Sequence, residues 1–409
     1  MQTAIPRINP FASLGYRNFR LLFVAQLSLQ TGSGLRNIVN AFQVYQITGD
    51  PRLLGLTFLF QGLPVLAMGL FGGSLADLVD RRILTQAVTV VQSVLVLLLA
   101  LLTLSGRIEV WHIYAITFSA SLLDSMAHPA QLAIIPSVVP AADLMNAMAL
   151  RSTASQAAGL AGPLVGGLVV ETLGAGTAYL INTALFLPAV ISVALLNVPR
   201  TASPGKPKIS LRFLFEGFLF TLRTPVLLAF LLLDVVTMVF GFYPAMMPVM
   251  AKDELHLGAA GLGALLAAPA FGAMLGFFGV LLLGDVRRKG ALLLAVTLAH
   301  AVALFMFAYS PWFLLSLILV ALLGFLDSLS VTVRMTTFQL LAREEQRGRV
   351  MSVIFICAMG ANSIGGAYLG LVTSWIGPRD ALALGAGIAG AFALAVTLLS
   401  RDVRRFRTE

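Results

Sequence analysis

Twelve long apolar stretches constrain the fold of this chain more than any other feature. Each is long enough to cross a bilayer as a helix, which takes roughly 20 apolar residues. They lie at about 18–43, 54–79, 83–106, 109–133, 147–170, 175–197, 224–250, 259–284, 290–309, 311–337, 349–375 and 379–400. The chain lacks the alternating ten-residue strands that are typical of membrane β-barrels, and helices satisfy their own backbone groups in lipid. The sequence therefore predicts an all-α integral membrane protein with twelve transmembrane helices, numbered here as segments 1 to 12.

Composition excludes several other classes of protein. The chain is 58% hydrophobic and only 11% charged, whereas soluble domains carry about a quarter charged residues. Cys357 is the single cysteine, so no internal disulfide or thiolate cluster can form. The sequence has neither a phosphate-binding Gly-x-x-x-x-Gly-Lys-Ser/Thr loop nor a histidine-rich metal motif. We therefore expect neither an ATPase nor an enzyme, and no metal or cofactor.

The basic residues indicate how the chain is oriented. If the N-terminus is cytoplasmic, 20 of the 27 basic residues face the cytoplasm. Only Arg52, Arg107, Lys252 and Arg379 face outward, and the other three lie within apolar segments. This asymmetry follows the positive-inside rule and predicts that both termini are cytoplasmic. The net charge of +9 then reflects topology and contact with membrane lipid rather than nucleic-acid binding.

A polar stretch rich in proline and basic residues divides the chain into two halves. It predicts a cytoplasmic linker at 199–223, which holds a short amphipathic surface helix around 211–222. Residues 1–198 and 224–409 then form two six-helix bundles in the same membrane orientation, related by an axis along the membrane normal. The loop after segment 2 ends in Asp80-Arg81-Arg82 and the loop after segment 8 holds Asp285-Val286-Arg287-Arg288, a similarity that supports this repeat. The alternative is that the similarity arises by chance among apolar segments.

Six charged residues lie inside the apolar segments, where each costs at least about 2.5–3.5 kcal/mol on insertion scales. They are Arg36, Asp124, Arg151, Asp234, Asp327 and Arg334. Helical spacing puts Asn40 beside Arg36 and His128 beside Asp124. We expect segments 1, 4, 7 and 10 to turn these polar faces into one shared cavity. The alternative is a set of buried structural ion pairs, such as Asp124 with Arg36.

Any proton carrier must be a carboxylate that loads and unloads near neutral pH, and a low-dielectric site favours its protonated form. Asp124, Asp234 and Asp327 are the candidates, and Asp124 ranks first because His128 lies one turn away. The other three histidines are expected near helix ends as ordinary surface or interface residues. Arg151 and Arg334 are expected near cytoplasmic helix ends, as snorkelling or gate-pairing residues.

Segment 5 carries a face of small residues. Gly162, Pro163, Gly166 and Gly167 allow close helix approach and remove one backbone hydrogen bond. They predict a packing hinge that also limits leakage, although the same residues would serve plain helix packing.

The loop after segment 2 contains Gly73, Asp77, Arg81 and Arg82. This pattern resembles the signature of the major facilitator superfamily, although Leu78 stands where an arginine is common. Stretches at 43–49, 129–136 and 347–350 resemble the enterobactin-exporter-like branch of drug and siderophore efflux proteins.

The resemblance implies a role for Asp77. In the superfamily the corresponding aspartate holds the cytoplasmic side closed against the start of segment 11, where Arg349 would add an ion pair. A carboxylate is favoured at a helix N-terminus. The alternative is a loop of solvated charges that only sets topology.

The resemblance also implies a function. We expect a monomeric, multi-pass protein of the bacterial inner (plasma) membrane that is a secondary active transporter. It would be an antiporter that exports a small amphipathic molecule, a drug or siderophore, by alternating access in exchange for protons. The alternatives are an importer of a small metabolite and a non-transporting sensor or scaffold with the same fold.

Overall fold

The structure is a computed structural model that describes residues 10–76, 80–198, 211–283, 288–342 and 346–406. Within these ranges the chain contains helices and no strand, as the sequence predicts. The helices are α1 (Arg17–Thr48), α2 (Pro51–Ala76), α3 (Arg81–Leu104), α4 (Val110–Val138), α5 (Leu144–Ala194), α6 (Leu211–Arg223), α7 (Pro225–Phe240), α8 (Met247–Val249), α9 (Ala259–Leu283), α10 (Lys289–Ala308), α11 (Phe313–Leu341), α12 (Arg347–Ile376), α13 (Pro378–Leu399) and α14 (Arg401–Arg405).

Helices α1 to α5 pack together as a first group, in which α1 lies against α5 and α2 lies against α4. Helix α5 is 51 residues long and is interrupted at Gly174, whose φ of 82° lies in the left-handed region that glycine tolerates. Asn146, near its start, donates to the Pro10 carbonyl, and the Asn197 carbonyl just beyond its end accepts from Asn18. Both ends of α5 therefore meet the start of α1, so its two arms run antiparallel and correspond to predicted segments 5 and 6.

Helices α7 to α13 form a second group, and α6 is the helix expected in the linker. The sequence predicts one continuous span at 224–250, but α7 ends at Phe240. A 3₁₀ turn, the short α8 and a π-helical turn at Met250–Glu254 follow it. Pro244 and Pro248 explain the interruption, because proline cannot donate the backbone hydrogen bond that a continuous helix requires.

The helix connections define two ends of the molecule. The Gly49 end holds the turns at Gly49, Gly106, Gly174 and Gly377, all of which have positive φ. The Arg81 end holds the starts of α1, α3, α5, α10 and α12. At the Gly49 end Arg379 Nε lies 2.6 Å from a Glu254 carboxylate oxygen, which ties α13 to the π-helical turn.

The two groups meet along two seams, α2 against α12 and α5 against α9. Glycines on both sides permit this approach. A Cβ at Gly55 would lie 2.5 Å from the Gly366 carbonyl oxygen, and one at Gly167 would lie 2.4 Å from that of Ala259. Such contacts are closer than a Cβ atom tolerates, so both seams require glycine at these positions.

Nine helical stretches among the described residues are long and apolar enough to cross a membrane. Helices α1 and α4 are not among the nine, since both carry the polar faces noted in the sequence. Many large apolar side chains, such as Leu168, Phe278 and Leu314, are exposed on the outside of the helices. This surface suits lipid rather than water.

Candidate functional site

Arg36 on α1 and Asp124 on α4 form an ion pair, as one of the two sequence interpretations proposed. Arg36 Nη2 lies 3.7 Å from Asp124 Oδ2. The arginine side chain is only 4% exposed, whereas that of Asp124 is 51% exposed. Gln92 on α3 donates to Asp124 Oδ1 at 2.6 Å, and Arg36 Nη1 has no hydrogen-bond partner. The first group thus buries the positive partner and leaves the carboxylate accessible.

Asn40 lies one turn from Arg36 and joins three elements of the first group. Its Nδ2 donates to Thr117 Oγ1 at 3.0 Å. The Tyr179 hydroxyl lies 2.7 Å from Asn40 Oδ1 and 3.0 Å from Gln43 Oε1, so its single proton serves one of the two acceptors. All four of these side chains are buried, with exposed fractions of 5% or less. Sequence patterns gave no sign of Tyr179 in this network, because it is an isolated aromatic in an apolar segment.

His128 lies one turn beyond Asp124 and is exposed. Its side chain makes no hydrogen bond with the described residues. Arg151 on α5 instead contacts α1, because its Nε donates to Gln26 Oε1 at 2.8 Å. The structure therefore leaves the proposed proton-sharing role of His128 as a prediction.

A second charged cluster lies inside the second group. Asp234 on α7 forms an ion pair with Arg334 on α11, and their exposed fractions are 2% and 5%. Asp327 and His300 line the same small cavity, whose volume of about 10 Å³ suits roughly one water molecule. Asp327 also interacts electrostatically with both members of the pair. The cluster holds two carboxylates and one guanidinium.

The structure corrects two sequence expectations here. Arg334 does not snorkel, because its side chain is buried and paired with Asp234, while a role in a gate stays a prediction. His300 is not near a helix end, because it lies in the middle of α10 and is 8% exposed. The sequence did not reveal His300 because α10 carries no acid to mark a polar face.

The two charged clusters stay within their own helix groups. Across the parts of the chain that the structure describes, no ion pair or hydrogen bond joins Arg36 or Asp124 to the cluster around Asp234. Between the groups lies a cavity of about 210 Å³. We call it the central cavity; it is lined by Gly34, Asn37, Ile38, Asn40, Ala41, Thr57, Phe58, Gln61, Thr117, Pro163, Pro244, Pro248 and Leu266. Of the predicted pathway residues, Asn40 reaches its wall.

The residues expected in a cytoplasmic gate lie at the Arg81 end. Asp77 falls outside the described residues, as do the surroundings of Gly73 in α2. Arg349 at the start of α12 forms an ion pair with Glu216 on α6. The latch between Asp77 and the start of α12 therefore stays a prediction.

Arg81 and Arg82 open helix α3. The Asp80 side chain caps that helix by accepting from the Arg82 backbone N–H at 2.9 Å. The Arg82 guanidinium reaches the second arm of α5, where it donates to the Ala194 carbonyl at 2.5 Å. These contacts fix the Arg81 end of the first group.

The glycine motif of α5 faces two different partners. Gly162 and Gly166 contact α1, and a Cβ at Gly162 would lie 2.8 Å from the Thr31 carbonyl oxygen. Pro163 and Gly167 contact α9, with the Pro163 carbonyl oxygen beside Gly263. The motif therefore packs within the first group and across the seam between groups, while a hinge motion at Pro163 stays a prediction.

Two hydrogen bonds join the groups at the Gly49 end, and we call them the clasp. The Tyr45 hydroxyl on α1 donates to Asp253 in the π-helical turn. Glu171 on α5 accepts from the backbone N–H of Ala260 at 2.6 Å, in the first turn of α9. A carboxylate is favoured there because the helix N-terminus carries partial positive charge. Over the described ranges these are the hydrogen bonds that cross between the two groups, so they hold the groups together at this end.

The fold is that of a helical membrane protein with two packed groups, a cavity between them and a charged cluster in each. Solved structures share this fold. The nucleoside transporter NupG aligns over 96% of this chain and 100% of its own with a TM-score of 0.77 at 12% identity. A bacterial homologue of the lysosomal transporter Spinster, solved inward-facing and unoccupied, aligns over 96% and 99% with a TM-score of 0.70 at 15% identity.

The chain belongs to the transmembrane secretion effector family of the major facilitator superfamily, whose model matches residues 8–408. Its curated relatives include the enterobactin exporter EntS of Shigella boydii serotype 4 (strain Sb227), with 28% identity over 95% of this chain and 93% of the relative. The corresponding exporter of Escherichia coli O81 (strain ED1a) matches to the same extent. These findings confirm a multi-pass transporter of the bacterial inner membrane, and they confirm that the chain is not an enzyme.

Proposed function

We propose that this protein is a proton-coupled exporter of a small amphipathic molecule that works by alternating access. The observation that carries the proposal is the placement of one charged cluster in each helix group, with a cavity between the two groups. Twelve spans form two six-helix bundles at 1–198 and 224–409, and residues 199–223 link them. The Arg81 end and both termini are cytoplasmic, which the predominance of basic residues at that end supports.

In this orientation the structure is closed toward the periplasm. The clasp joins the bundles at the Gly49 end, whereas Asp124 and His128 are exposed. This arrangement fits an inward-facing state that is ready to accept substrate from the cytoplasm. Export then requires the clasp to open after the Arg81 end closes, and Asp77 with Arg349 would hold that closure.

The charged clusters supply two candidate proton sites. Protonation of Asp124 would remove the countercharge of Arg36, which is otherwise held by a single ion pair in the first bundle. In the second bundle, Asp234, Asp327 and Arg334 together carry one net negative charge when both acids are ionised. One bound proton would neutralise that cluster. A neutral cluster is more stable in a low-dielectric interior, because burying net charge is unfavourable. Inward proton flow through either site could therefore drive substrate outward.

The similarity to enterobactin exporters supports a siderophore as the substrate. The resemblance to drug and siderophore efflux proteins, noted in the sequence, supports a wider range of amphipathic molecules. The partners are the small-molecule substrate, protons and membrane lipid, and the transporter acts as a monomer. An importer or a non-transporting scaffold would give a different outcome in the tests below.

Transport by purified protein in proteoliposomes tests the proposal. A pH gradient across the proteoliposome membrane should drive transport of enterobactin or an amphipathic dye by the wild-type protein. The substrate should move in the direction opposite to proton flow. Asp124→Asn and Asp327→Asn should each keep substrate counterflow but lose the response to the pH gradient if the substituted acid carries the proton. Full pH-driven transport by both variants would refute proton coupling at these sites. Absence of counterflow would support a scaffold.

A deletion strain tests the direction of transport. Under iron limitation, or with a panel of toxic amphipathic compounds, cells that lack the protein should accumulate the substrate internally. Reduced uptake in that strain would instead establish an importer.

A further inference from the structure

The wall of the central cavity contains hydrogen-bonding groups but no ionisable side chain. Its polar members are Asn37, Asn40, Thr57, Gln61 and Thr117. Asn40 and Thr117 are bonded to each other and to the Tyr179 network. Asn37, Thr57 and Gln61 are therefore the wall residues whose polar groups are available to bind a ligand.

Thr57 is the most informative of these three. It is 7% exposed, and its hydroxyl is buried without a hydrogen-bond partner. A buried hydroxyl without a partner is unfavourable, so such a group calls for an explanation such as a ligand or a water. Asn37 and Gln61 likewise have no hydrogen-bond partner among the described side chains and backbone. The cavity thus presents one hydroxyl and two amides, which can both donate and accept.

The rest of the wall is apolar and is drawn from both bundles. Ile38, Phe58 and Pro163 come from the first bundle, and Pro248 and Leu266 come from the second. A volume of about 210 Å³ exceeds the roughly 150 Å³ cavity that holds benzene. It is smaller than the pockets of about 300–1,000 Å³ that enclose drug-sized ligands. In this state the cavity therefore fits one compact ring or chain with a polar head.

The charged side chains of the first bundle are committed elsewhere. Arg36 is paired with Asp124, and Asp124 also accepts from Gln92. A charged ligand in the central cavity would lose hydration without gaining an opposite charge from the wall, which is unfavourable. An uncharged amide or hydroxyl would lose less hydration free energy and would give the Thr57 hydroxyl a hydrogen-bond partner.

We infer that the central cavity recognises an uncharged, hydrogen-bonding group of the substrate, such as an amide or hydroxyl attached to an apolar ring, through Asn37, Thr57 and Gln61. This inference rests on the proposed function, because it assigns the head-group chemistry of the transported molecule. The two charged clusters then bind protons and hold the helices, while neutral groups select the substrate.

Three small probes of matched shape test the inference. Benzamide is neutral, benzoate is an anion and benzamidinium is a cation, and each is a phenyl ring with a planar head. Dissociation constants are measured by saturation-transfer NMR with the full-length protein in lipid nanodiscs, and empty nanodiscs correct for partition into lipid. We expect benzamide to bind at least about tenfold more tightly than either ion.

Substitutions in the wall of the central cavity test whether benzamide binds there. Thr57→Val keeps the side-chain shape and should weaken benzamide by about 2- to 12-fold, the usual effect of one neutral hydrogen bond. Thr89→Val is the matched control, since Thr89 is a buried threonine on α3 whose hydroxyl donates to the Thr85 carbonyl. Gln61→Glu should reverse the preference by attracting benzamidinium and repelling benzoate.

Equal or tighter binding of either ion to the wild-type protein would overturn the inference. So would absence of benzamide binding, or equal effects of the Thr57 and Thr89 substitutions. The result is separable from the transport assay. If benzamide binds as expected but no substrate is exchanged in proteoliposomes, the proposed function fails and the cavity chemistry stands.

Discussion

An added methyl group at Gly167 provides a sharp test of the seam between the bundles. In Gly167→Ala, the new Cβ would lie 2.4 Å from the Ala259 carbonyl oxygen and 2.8 Å from Gly263 Cα. Both neighbours are backbone atoms of α9, so they cannot rotate away, and α5 and α9 must separate. Overpacking of this kind costs about 1–3 kcal/mol. If the strain is confined to the state with the Gly49 end closed, that state loses population by about 5- to 150-fold relative to the open one.

Gly159→Ala is the matched control. Gly159 lies on the same helix and faces the same partner, but its new Cβ would lie 3.7 Å from Ala270 Cβ, an ordinary van der Waals contact. The control should behave like the wild-type protein within about twofold, since its expected cost is within about 0.5 kcal/mol.

Labelling with a membrane-impermeant maleimide measures the opening. The background is Cys357→Ser, which removes the single native cysteine, and Asn37→Cys places a thiol at the exposed asparagine of the central cavity. In intact cells the reagent reaches this thiol only when the Gly49 end opens to the periplasm. The labelling rate should rise by about 5- to 150-fold with Gly167→Ala and stay unchanged with Gly159→Ala. Equal rates in the two variants would refute the assignment of this seam to the closed state.

Three further experiments probe the contacts around the pathway. Tyr45→Phe removes the hydroxyl that donates to Asp253 and should speed the same labelling by about 2- to 12-fold; an unchanged rate would remove this bond from the clasp. Arg334→Met leaves Asp234 and Asp327 buried without their countercharge, so thermal unfolding should show a loss of about 3–5 kcal/mol. Adding Asp234→Leu and Asp327→Leu should recover most of that stability but not proton-driven transport, and recovery of both would exclude a proton role for the cluster. Arg349 and Glu216 are 32% and 39% exposed, so a double-mutant cycle should give a coupling of only about 0.2–1 kcal/mol; a value of several kcal/mol would mean that α6 fixes the start of α12.

The sequence predicts the apolar helices well because hydrophobicity and length determine them. The expected span at 259–284 is the observed Ala259–Leu283, and the one at 349–375 is Arg347–Ile376. The break after Phe240 was less predictable, since Pro244 and Pro248 signal a kink without specifying where the helix stops.

The pairing of the polar residues was only partly predictable. Buried ion pairs between helices were one interpretation of the charged residues, with Arg36 and Asp124 as the example, but the pairing of Asp234 with Arg334 depends on how α7 and α11 pack. A single sequence does not contain that tertiary arrangement. Thr57 and Gln61 were missed because α2 has no periodic polar face, and their role follows only from the cavity between the bundles.

Cross-linking the clasp tests alternating access most directly. Tyr45→Cys and Asp253→Cys, in the Cys357→Ser background, place two thiols where the structure has the hydrogen bond between bundles. A short bifunctional thiol reagent with a reducible linkage should bring transport in proteoliposomes down to the level of empty liposomes, and a reductant should restore it. Undiminished transport by fully cross-linked protein would contradict movement of the two bundles at this end.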